Sequence, residues 1–286
     1  MNTIALAKAY VPMLDEVYAA ASLTAKLDGA TELCREGAAA NELIVPMLTM
    51  QGLGAYSRND GYAAGDVTMT SETVQCGFDR GRMFSVDNMD NAETAGLAFG
   101  RLAGEFIRTR VAPELDAYRF AQYASKAGVA KVAGALAAGK DVIAALRVAM
   151  NAMDDAEVPP EDRHLFILPA LLALVEDMDT SASRAVLAGF ASITKVPQSR
   201  FYTGITQRDG VSAGQEDGGF AGTGKKLHFM VAHKPAVIQF EKHVAPKIIT
   251  PEANQKADAW KYGYRSVGVA DVYANKKAGV YCHTEV

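Results

Sequence analysis

The sequence predicts an α+β protein in which short strands and amphipathic helices are interspersed along one chain. Two observations carry this prediction. Several short runs are rich in β-branched and aromatic residues, and one long stretch repeats apolar residues at helical spacing. The 286 residues have a formal net charge of −4, and 49% are hydrophobic. This composition is typical of a globular chain and argues against a disordered, collagen-like, coiled-coil or strongly basic nucleic-acid-binding protein.

The first forty residues contain an Ala-rich stretch followed by small and polar residues. Apolar side chains at three- and four-residue spacing predict a helix over residues 4–21, kinked at Pro12. Residues 22–40 suit an extended arm. No basic segment precedes the first apolar residues, so we expect no signal peptide. No apolar run reaches the about 18 residues that a membrane-spanning helix needs.

Residues 41–91 are predicted to form a β excursion. Strand-like runs at Leu43–Thr49, Asp66–Thr70 and Arg82–Val86 surround a turn region rich in Gly, Asn and Asp. Pro46 restricts the first run to an edge or irregular strand. The segment has few large core residues, and isolated β ribbons are marginal in water. We therefore expect it to need a neighbouring surface.

A long helix is predicted to follow the β excursion. Asp90 or Asn91 suits its N-cap, and an apolar stripe over residues 93–125 spans roughly 50 Å at 1.5 Å per residue. Pro113 is expected to kink or interrupt this helix. Further along the chain, seven glycines among polar residues predict a mobile loop at residues 204–224.

The rest of the chain is predicted to alternate helices and buried strands. Gly139 opens one helix, and a second short helix begins after Pro169. Apolar runs at Leu165–Leu168, Leu227–Val231 and Ala278–His283 predict strands.

No catalytic, cofactor or metal site is predicted. Gly219–Lys226 nearly matches a phosphate-binding loop, but it lacks the hydroxyl that binds magnesium, and a strand is predicted after it where a helix is needed. His228 and His233 lie five residues apart, on opposite faces of a strand, which argues against zinc. Basic and aromatic residues around Trp260 would suit single-stranded nucleic acid, but strand packing is favoured. Pairs of adjacent acids are assigned to solvated helix ends, and a hydrolytic carboxylate pair stays open.

Charge is distributed in blocks along the chain. Residues 41–91 carry seven acidic residues, three Arg and no Lys, whereas residues 225–286 carry ten basic and five acidic residues. Residues 131–224 are acidic as well, with twelve acidic residues against eight basic ones. Two interpretations stay open. The blocks are ordinary surface variation, or copies of the chain meet through opposite potentials, which guide association and register.

Several motifs in combination resemble the major capsid proteins of tailed bacteriophages and prophages. They cover nearly the whole chain: Met50–Asn59, Gly61–Tyr62, Gly65–Thr68, Asp79–Arg82, Val86–Asn91, Leu102–Thr109, Ala257–Tyr262 and Val272–Lys276. The resemblance implies the Johnson fold, also called Hong Kong 97-like. It also implies a structural protein, not an enzyme, that assembles into pentamers and hexamers of an icosahedral shell around double-stranded DNA.

The resemblance also implies partners and a location. The main partner would be the protein itself, with scaffolding and portal proteins besides, and packaged double-stranded DNA contacted non-specifically. No cofactor and no membrane are expected. The protein would be part of the virion capsid, assembled in the cytoplasm of a bacterial host.

The resemblance divides the chain into five segments. These are an N-arm at residues 1–40, an E-loop β-hairpin at 41–91, a P-domain spine helix at 92–128, an A-domain at 129–240 and returning P-domain strands at 241–286. The E-loop is expected to lie over a neighbouring subunit, and the A-domain tip to meet its fellows at capsomer centres. The contact residues would be Tyr56, Arg58, Asn59, Asp60, Tyr62 and Asp66 at the E-loop tip, and Arg208, Asp209, Gln215, Glu216 and Asp217 at the A-domain tip.

Some capsid proteins of this kind cross-link their shells through a Lys on the E-loop. Residues 41–91 contain no Lys, so we expect no such bond from this loop. Intact shells boiled in denaturant should run as monomers on a gel. A ladder of covalent multimers traceable to residues 41–91 would contradict this expectation.

Two other functions stay open on the sequence alone. An encapsulin-like cellular compartment would have the same fold, and genes for cargo enzymes would then accompany it. A monomeric hydrolase would instead be a small discrete particle that turns over a substrate.

Overall fold

The structure is a computed structural model that describes residues 22–29, 35–36, 42–56, 58–59, 61–62, 64–93 and 97–286. It contains both helices and strands, which confirms the predicted α+β class. The chain divides into two compact units. The smaller is Ala30–Gly77, and the larger comprises Phe78–Val286 together with the residues before Ala30. The predicted helix at residues 4–21 lies outside the described residues.

The smaller unit, where described, is a three-stranded antiparallel sheet. Its strands are β1 (Arg35–Glu36), β2 (Glu42–Met50) and β3 (Val67–Gln75). β2 pairs with β3 along its whole length, and its Leu43 and Ile44 pair with the described residues of β1. Within the described residues Pro46 pairs with Ser71 of β3 alone, and a residue without an N–H is tolerated where one side of a strand is unpaired. The two strands predicted for this part of the chain are confirmed.

The larger unit begins with a strand and a helical rod. Its elements are β4 (Phe78–Asp87), α1 (Asn88–Glu93), α2 (Leu97–Phe106), a π-helical turn (Ile107–Val111) and α3 (Ala112–Ser125). The predicted strand and long helix are confirmed. Pro113 lies in the first turn of α3, and the regular α-helix is interrupted directly before it, as predicted; the carbonyl that its missing N–H would have bonded is that of Thr109, inside the π-helical turn. The irregularity is the π-helical turn that precedes it.

The predicted N-cap of the first helix is wrong. α1 begins at Asn88, three residues before the Asn91 start that an Asp90 cap implies. The carboxylate Oδ1 of Asp87 accepts a hydrogen bond from the N–H of Met89 at 2.9 Å. Asp87 ends β4 and caps α1 with the same residue, so no polar linker marks the boundary in the sequence.

Two sheets and three more helices complete the larger unit as described. The helices are α4 (Gly139–Asp155), α5 (Pro169–Glu176) and α6 (Ser181–Ala188), and the strands are β5 (Ala130–Ala133), β6 (Arg163–Ile167), β7 (Ser192–Lys195), β8 (Tyr202–Gln207), β9 (Phe220–His233), β10 (Val237–Val244), β11 (Lys247–Ile249), β12 (Ala259–Val272) and β13 (Val280–Thr284). One sheet has the order β5-β13-β9-β6-β7, with β8 on β9; the other has β10-β12-β11, with β4 on β12. The predicted helices and buried strands are confirmed.

The helical rod joins the cores of these two sheets. Its α2 end and π-helical turn pack Ile107 against Tyr262 and Tyr264 of β12. Its α3 end contributes Phe120, whose ring centroid lies 5.1 Å from that of Phe166 and 5.0 Å from that of Phe201. Helices α4, α5 and α6 cover another face of the larger sheet. Burial of these aromatic side chains, each worth a few kcal/mol, makes α3 the central element of the unit.

The predicted loop at residues 204–224 is wrong at both ends. β8 and β9 include its first and last residues, and only residues 208–219 connect them. The glycines have packing roles. A Cβ on Gly222 would lie 2.4 Å from the ring of Tyr202, and Gly224 has a φ of +73°. Glycine in such a strand marks close contact and irregular twist, so its abundance did not indicate mobility.

The segment before Ala30 is not an extended arm where the structure describes it. Residues 25–27 form a 3₁₀ turn, and Thr24 and Leu27 are fully buried. This segment is tied to α3 through the buried carboxylate of Asp116.

Candidate functional site

The tip segment (residues 51–66) connects β2 to β3. Its base is closed by two reciprocal hydrogen bonds of 3.3 Å, from the N–H of Gln51 to the carbonyl of Asp66 and from the N–H of Asp66 to Oε1 of Gln51. Tyr56 and Tyr62 meet edge to face with ring centroids 5.0 Å apart. Both rings are exposed, and Leu53 is fully exposed. The described residues of the tip segment thus present apolar surface to solvent.

The other predicted contact residues of the tip segment are on its surface as well. Arg58 and Asn59 form the turn between the two tyrosines, and Asp66 is exposed at its base. Asp60 lies outside the described residues. The charged and apolar groups therefore share one short segment.

One face of the small sheet is also apolar and uncovered. Met50 pairs with Val67, and Met69 lies two residues further along the same face of β3. These side chains are 64%, 65% and 70% exposed, respectively. Among the side chains described in the smaller unit, Val74 is the one buried hydrophobic residue. Among the described side chains, this sheet thus combines little core with exposed apolar residues, a pattern that is common at protein–protein contacts.

The predicted A-domain tip residues lie in the loop between β8 and β9. Asp209 organises this loop, since its Oδ1 accepts hydrogen bonds from the N–H groups of Val211 and Ser212, both at 2.9 Å. Gln215 closes the turn by accepting the N–H of Asp209 at 3.2 Å. The hydroxyl of Ser212, followed by these N–H groups, lowers the pKa of Asp209 to about 2. The side chains of Glu216 and Asp217 are exposed.

A second exposed face lies on the sheet formed by β4, β12 and β11. Gly263 of β12 lies between Met83 of β4 and Lys247 of β11 in register. Met83 is 52% exposed, and Lys261, two residues before Gly263, adds a second cation to this face. The opposite face carries Tyr262 in the core. This face thus combines the apolar Met83, the glycine Gly263 and the two lysines Lys247 and Lys261.

His228 and His283 form a pair that the sequence analysis missed. His283 pairs with Phe229 and Thr284 with Leu227, so His228 is the extra residue of a β-bulge. The bulge turns His228 toward His283, and their Nδ1 atoms lie 3.1 Å apart. Burial, followed by the charge of His228, lowers the pKa of His283 to about 4; burial also lowers the pKa of His228. The odd spacing from His233 gave no indication of this partner, which lies far away in the sequence.

The histidine pair makes the fold sensitive to acid. The unfolded chain binds a proton at His283 near its ordinary pKa of 6.5, and the folded chain does not until about pH 4. Lowering the pH through this range therefore favours the unfolded chain. We expect the melting temperature to fall more between pH 6.5 and pH 4.5 in the wild type than in His283→Asn, measured by calorimetry. Parallel curves for the two proteins would contradict this prediction.

Within the described part of the chain, no three His, Cys, Asp or Glu side chains are grouped so that they could hold a metal ion. Residues 220–226 are part of β9, so the segment that resembles a phosphate-binding loop continues into a strand, as predicted. None of the described helices has the length and apolarity to cross a membrane.

No family model matches this sequence, and no curated protein matches it either. Solved structures do match. The capsid structure of cyanophage P-SCSP1u is similar with a TM-score of 0.60 over 88% of this chain and 85% of that one, at 15% identity. Mycobacterium phage Che8 matches with a TM-score of 0.57 over 84% of each chain, at 13% identity. The chain has the fold of phage capsid proteins.

The same fold occurs outside phages. The virus-like particle from Pyrococcus furiosus is similar with a TM-score of 0.57 over 96% of each chain, at 12% identity. At such identities the match shows a similar backbone fold. The surfaces described above are therefore argued from the residues of this chain. Within the capsid fold, the two predicted tips belong to different compact units.

Proposed function

We propose that this protein is the major capsid protein of a tailed bacteriophage or prophage. It would be a structural subunit without enzymatic activity that assembles into pentamers and hexamers of an icosahedral shell around double-stranded DNA. The observation that carries this proposal is the match to capsid structures over most of the chain. The motifs quoted from the sequence point the same way. Scaffolding and portal proteins, and non-specific contact with DNA, belong to the proposal, as does a location in the virion.

The proposal assigns a role to each part of the chain. Residues 41–91 would be the E-loop, 92–128 the start of the P-domain with its spine helix, 129–240 the A-domain and 241–286 the returning P-domain strands, with an N-arm before them. The smaller unit supports the first assignment as far as Gly77, whereas β4 pairs with β12 in the larger unit. The smaller unit's exposed Met50, Val67 and Met69 would be covered by a neighbouring subunit in the shell.

The charges suggest where on the neighbour this contact would form. The tip segment ends at the exposed acid Asp66, and the exposed face around Gly263 carries Lys247 and Lys261. The same face offers the apolar Met83 to the tip's apolar side chains. We therefore propose that the tip segment of one copy lies on the β4–β12–β11 face of the next.

Charge reversal tests this contact. Asp66→Arg should slow assembly and weaken it by roughly 5- to 50-fold, since like charges at an interface reduce both encounter and affinity. Adding Lys261→Glu should restore part of the loss, because the pair is then reversed. Light scattering over a salt series measures both, and salt should shrink the effect as it screens the charges.

The matched control for charge reversal is Asp177→Arg. Asp177 is exposed at the end of α5, far along the chain from both proposed surfaces. If Asp66→Arg assembles with the wild-type rate and salt dependence, the proposed contact is wrong. It is also wrong if Asp177→Arg weakens assembly as much as Asp66→Arg does.

Size-exclusion chromatography and electron microscopy of the full-length protein test the function itself. Capsomers or closed shells are expected. A compact monomer at every concentration would contradict the proposal and would favour the hydrolase alternative. The virus-like particle from Pyrococcus furiosus matches no better than the phage structures, so it does not favour the encapsulin-like alternative. Shells purified from the native source distinguish the two, since protected DNA supports a capsid and enclosed enzyme supports a cellular compartment.

A further inference from the structure

Two arginines of β4 reach the loop between β8 and β9. The Nη2 atom of Arg80 donates hydrogen bonds to the carbonyls of Arg208 at 2.6 Å and Gly219 at 3.2 Å. The Nη2 atom of Arg82 donates to the carbonyl of Glu216 at 2.9 Å. Because these two arginines are two residues apart on one strand, they share a face. They hold the clasp loop (residues 208–219) at both of its ends and at Glu216, three residues before its last residue.

The glycines of the clasp loop leave room for Arg82. Gly210 and Gly218 have φ values of +74° and +65°, in the left-handed region. A Cβ at these positions would lie 3.3 Å and 2.8 Å, respectively, from Nη1 of Arg82. A larger residue at either glycine would be strained and would also crowd the guanidinium group. The two glycines thus leave space beside the loop backbone for the guanidinium group of Arg82.

Glu114 of α3 holds Arg80 in place. Its Oε1 lies 2.7 Å from Nε of Arg80, and the carboxylate is mostly buried. Burial raises the pKa of Glu114, and the charge and hydrogen bond of Arg80 oppose that rise. The contact joins three elements of the larger unit. These are α3, β4 of the sheet that contains β10, β11 and β12, and the hairpin formed by β8 and β9.

We infer that Arg80 and Arg82 are positioning residues that lock the clasp loop onto β4 and thereby fix the two sheets of the larger unit relative to each other. This role differs from a contact at capsomer centres, because it is complete within one subunit. The inference rests on the proposed function in one respect: locked subunits would build shells of uniform size. The rest of the inference depends on two observations. Guanidinium groups bind three carbonyls of the loop, and two glycines of the loop leave room for Arg82.

Hydrogen exchange measured by mass spectrometry on the full-length protein tests the lock. Arg82→Ala should accelerate exchange across residues 203–224 by about 5- to 10-fold, since a hydrogen bond with a charged donor is lost there. Arg82→Lys should restore part of the protection because it keeps a cation at the same place. The melting temperature should stay within a few degrees of the wild type, so that unfolding does not explain the exchange.

Arg265→Ala is the matched control. Arg265 forms an exposed ion pair with Asp79 of β4, at 2.6 Å, and does not touch the clasp loop. This variant should leave exchange at residues 203–224 unchanged. Wild-type exchange in Arg82→Ala, or equal acceleration in Arg265→Ala, would overturn the inference.

Electron microscopy adds a readout that depends on assembly. If shells form, those of Arg82→Ala should have a broader distribution of diameters than those of Arg265→Ala; equal distributions would overturn the link between the lock and shell size. If the wild type forms no shell, the proposed function fails, and the exchange measurement still decides whether the lock exists.

Discussion

A variant with Leu53→Asp and Tyr62→Asp should fold normally and fail to assemble. Both side chains are exposed in the isolated chain, so replacing them removes no core contact. In the proposed shell they would be buried against a neighbour. Two carboxylates brought into that contact would lose their hydration without a partner, and such losses at an interface centre amount to several kcal/mol. We expect the critical concentration for assembly to rise by at least about 100-fold.

Sedimentation velocity over a concentration series measures this effect. Circular dichroism and the melting temperature should match the wild type, since surface substitutions away from structural contacts change stability by about 0.5 kcal/mol or less. Val286→Asp is a matched control, because it places the same charge on an exposed apolar residue outside the proposed contact. Assembly of the double variant at the wild-type concentration would contradict the role of the tip segment.

The long elements of this fold could be predicted because their patterns repeat. The apolar stripe over residues 93–125 gave the helical rod, and the β-branched runs gave β2, β4, β6 and β13. Each such element is stabilised by many similar side chains, so an error at one position changes little. That residues 41–91 need a neighbouring surface, as their few core residues indicate, stays a prediction.

Features that depend on a single residue could not be predicted. Asp87 acts as the cap of α1 only because β4 happens to end there. Gly222 lies in a strand because the ring of Tyr202 is above it, and a glycine's partner cannot be read from its neighbours in sequence. Glu114 pairs with Arg80, which lies 34 residues earlier in the chain, so no local spacing indicates this contact. Tertiary contact decides such choices.

Some residues of the candidate site could be predicted from the sequence, and others could not. The resemblance to capsid proteins supplied the tip residues, such as Tyr56 and Tyr62, and their ring contact and exposure agree with a contact role. The resemblance gave no indication that the clasp loop contacts β4. The predicted contact residues of the loop include its acidic side chains, whereas the arginines of β4 bind its backbone carbonyls. The backbone acceptors of a glycine-rich loop have no signature in a sequence.

The second large effect concerns stability, through Asp116. This carboxylate of α3 is fully buried. Its oxygens accept hydrogen bonds from the hydroxyl of Ser22 at 2.8 Å, from the N–H of Leu23 at 2.9 Å and from the N–H and hydroxyl of Thr24 at 3.2 and 2.7 Å. The guanidinium of Arg200 lies 3.3 Å away and supplies the opposite charge. One side chain thus satisfies donors from the N-terminal segment and from the turn before β8.

Removing this acceptor would take the carboxylate away from the N–H and hydroxyl of the buried Thr24 and from the guanidinium of Arg200, which is 21% exposed. We therefore expect Asp116→Ala to lower the free energy of unfolding by about 3–5 kcal/mol, the range found when one member of a buried ion pair is lost. Asp116→Asn keeps one carbonyl acceptor and should lose less, about 1–3 kcal/mol. Urea denaturation of the unassembled protein measures both changes.

Asp179→Ala provides the contrast that makes this prediction specific. Asp179 approaches Arg184 to 2.5 Å, closer than any contact of Asp116, but the two side chains are 76% and 70% exposed. Water solvates both charges when the pair is broken, so we expect a loss below about 1 kcal/mol. If burial decides the outcome, the longer and more shielded contacts of Asp116 matter several times more than this short one. Equal losses in Asp116→Ala and Asp179→Ala would show that the network around Asp116 does not hold the N-terminal segment to α3.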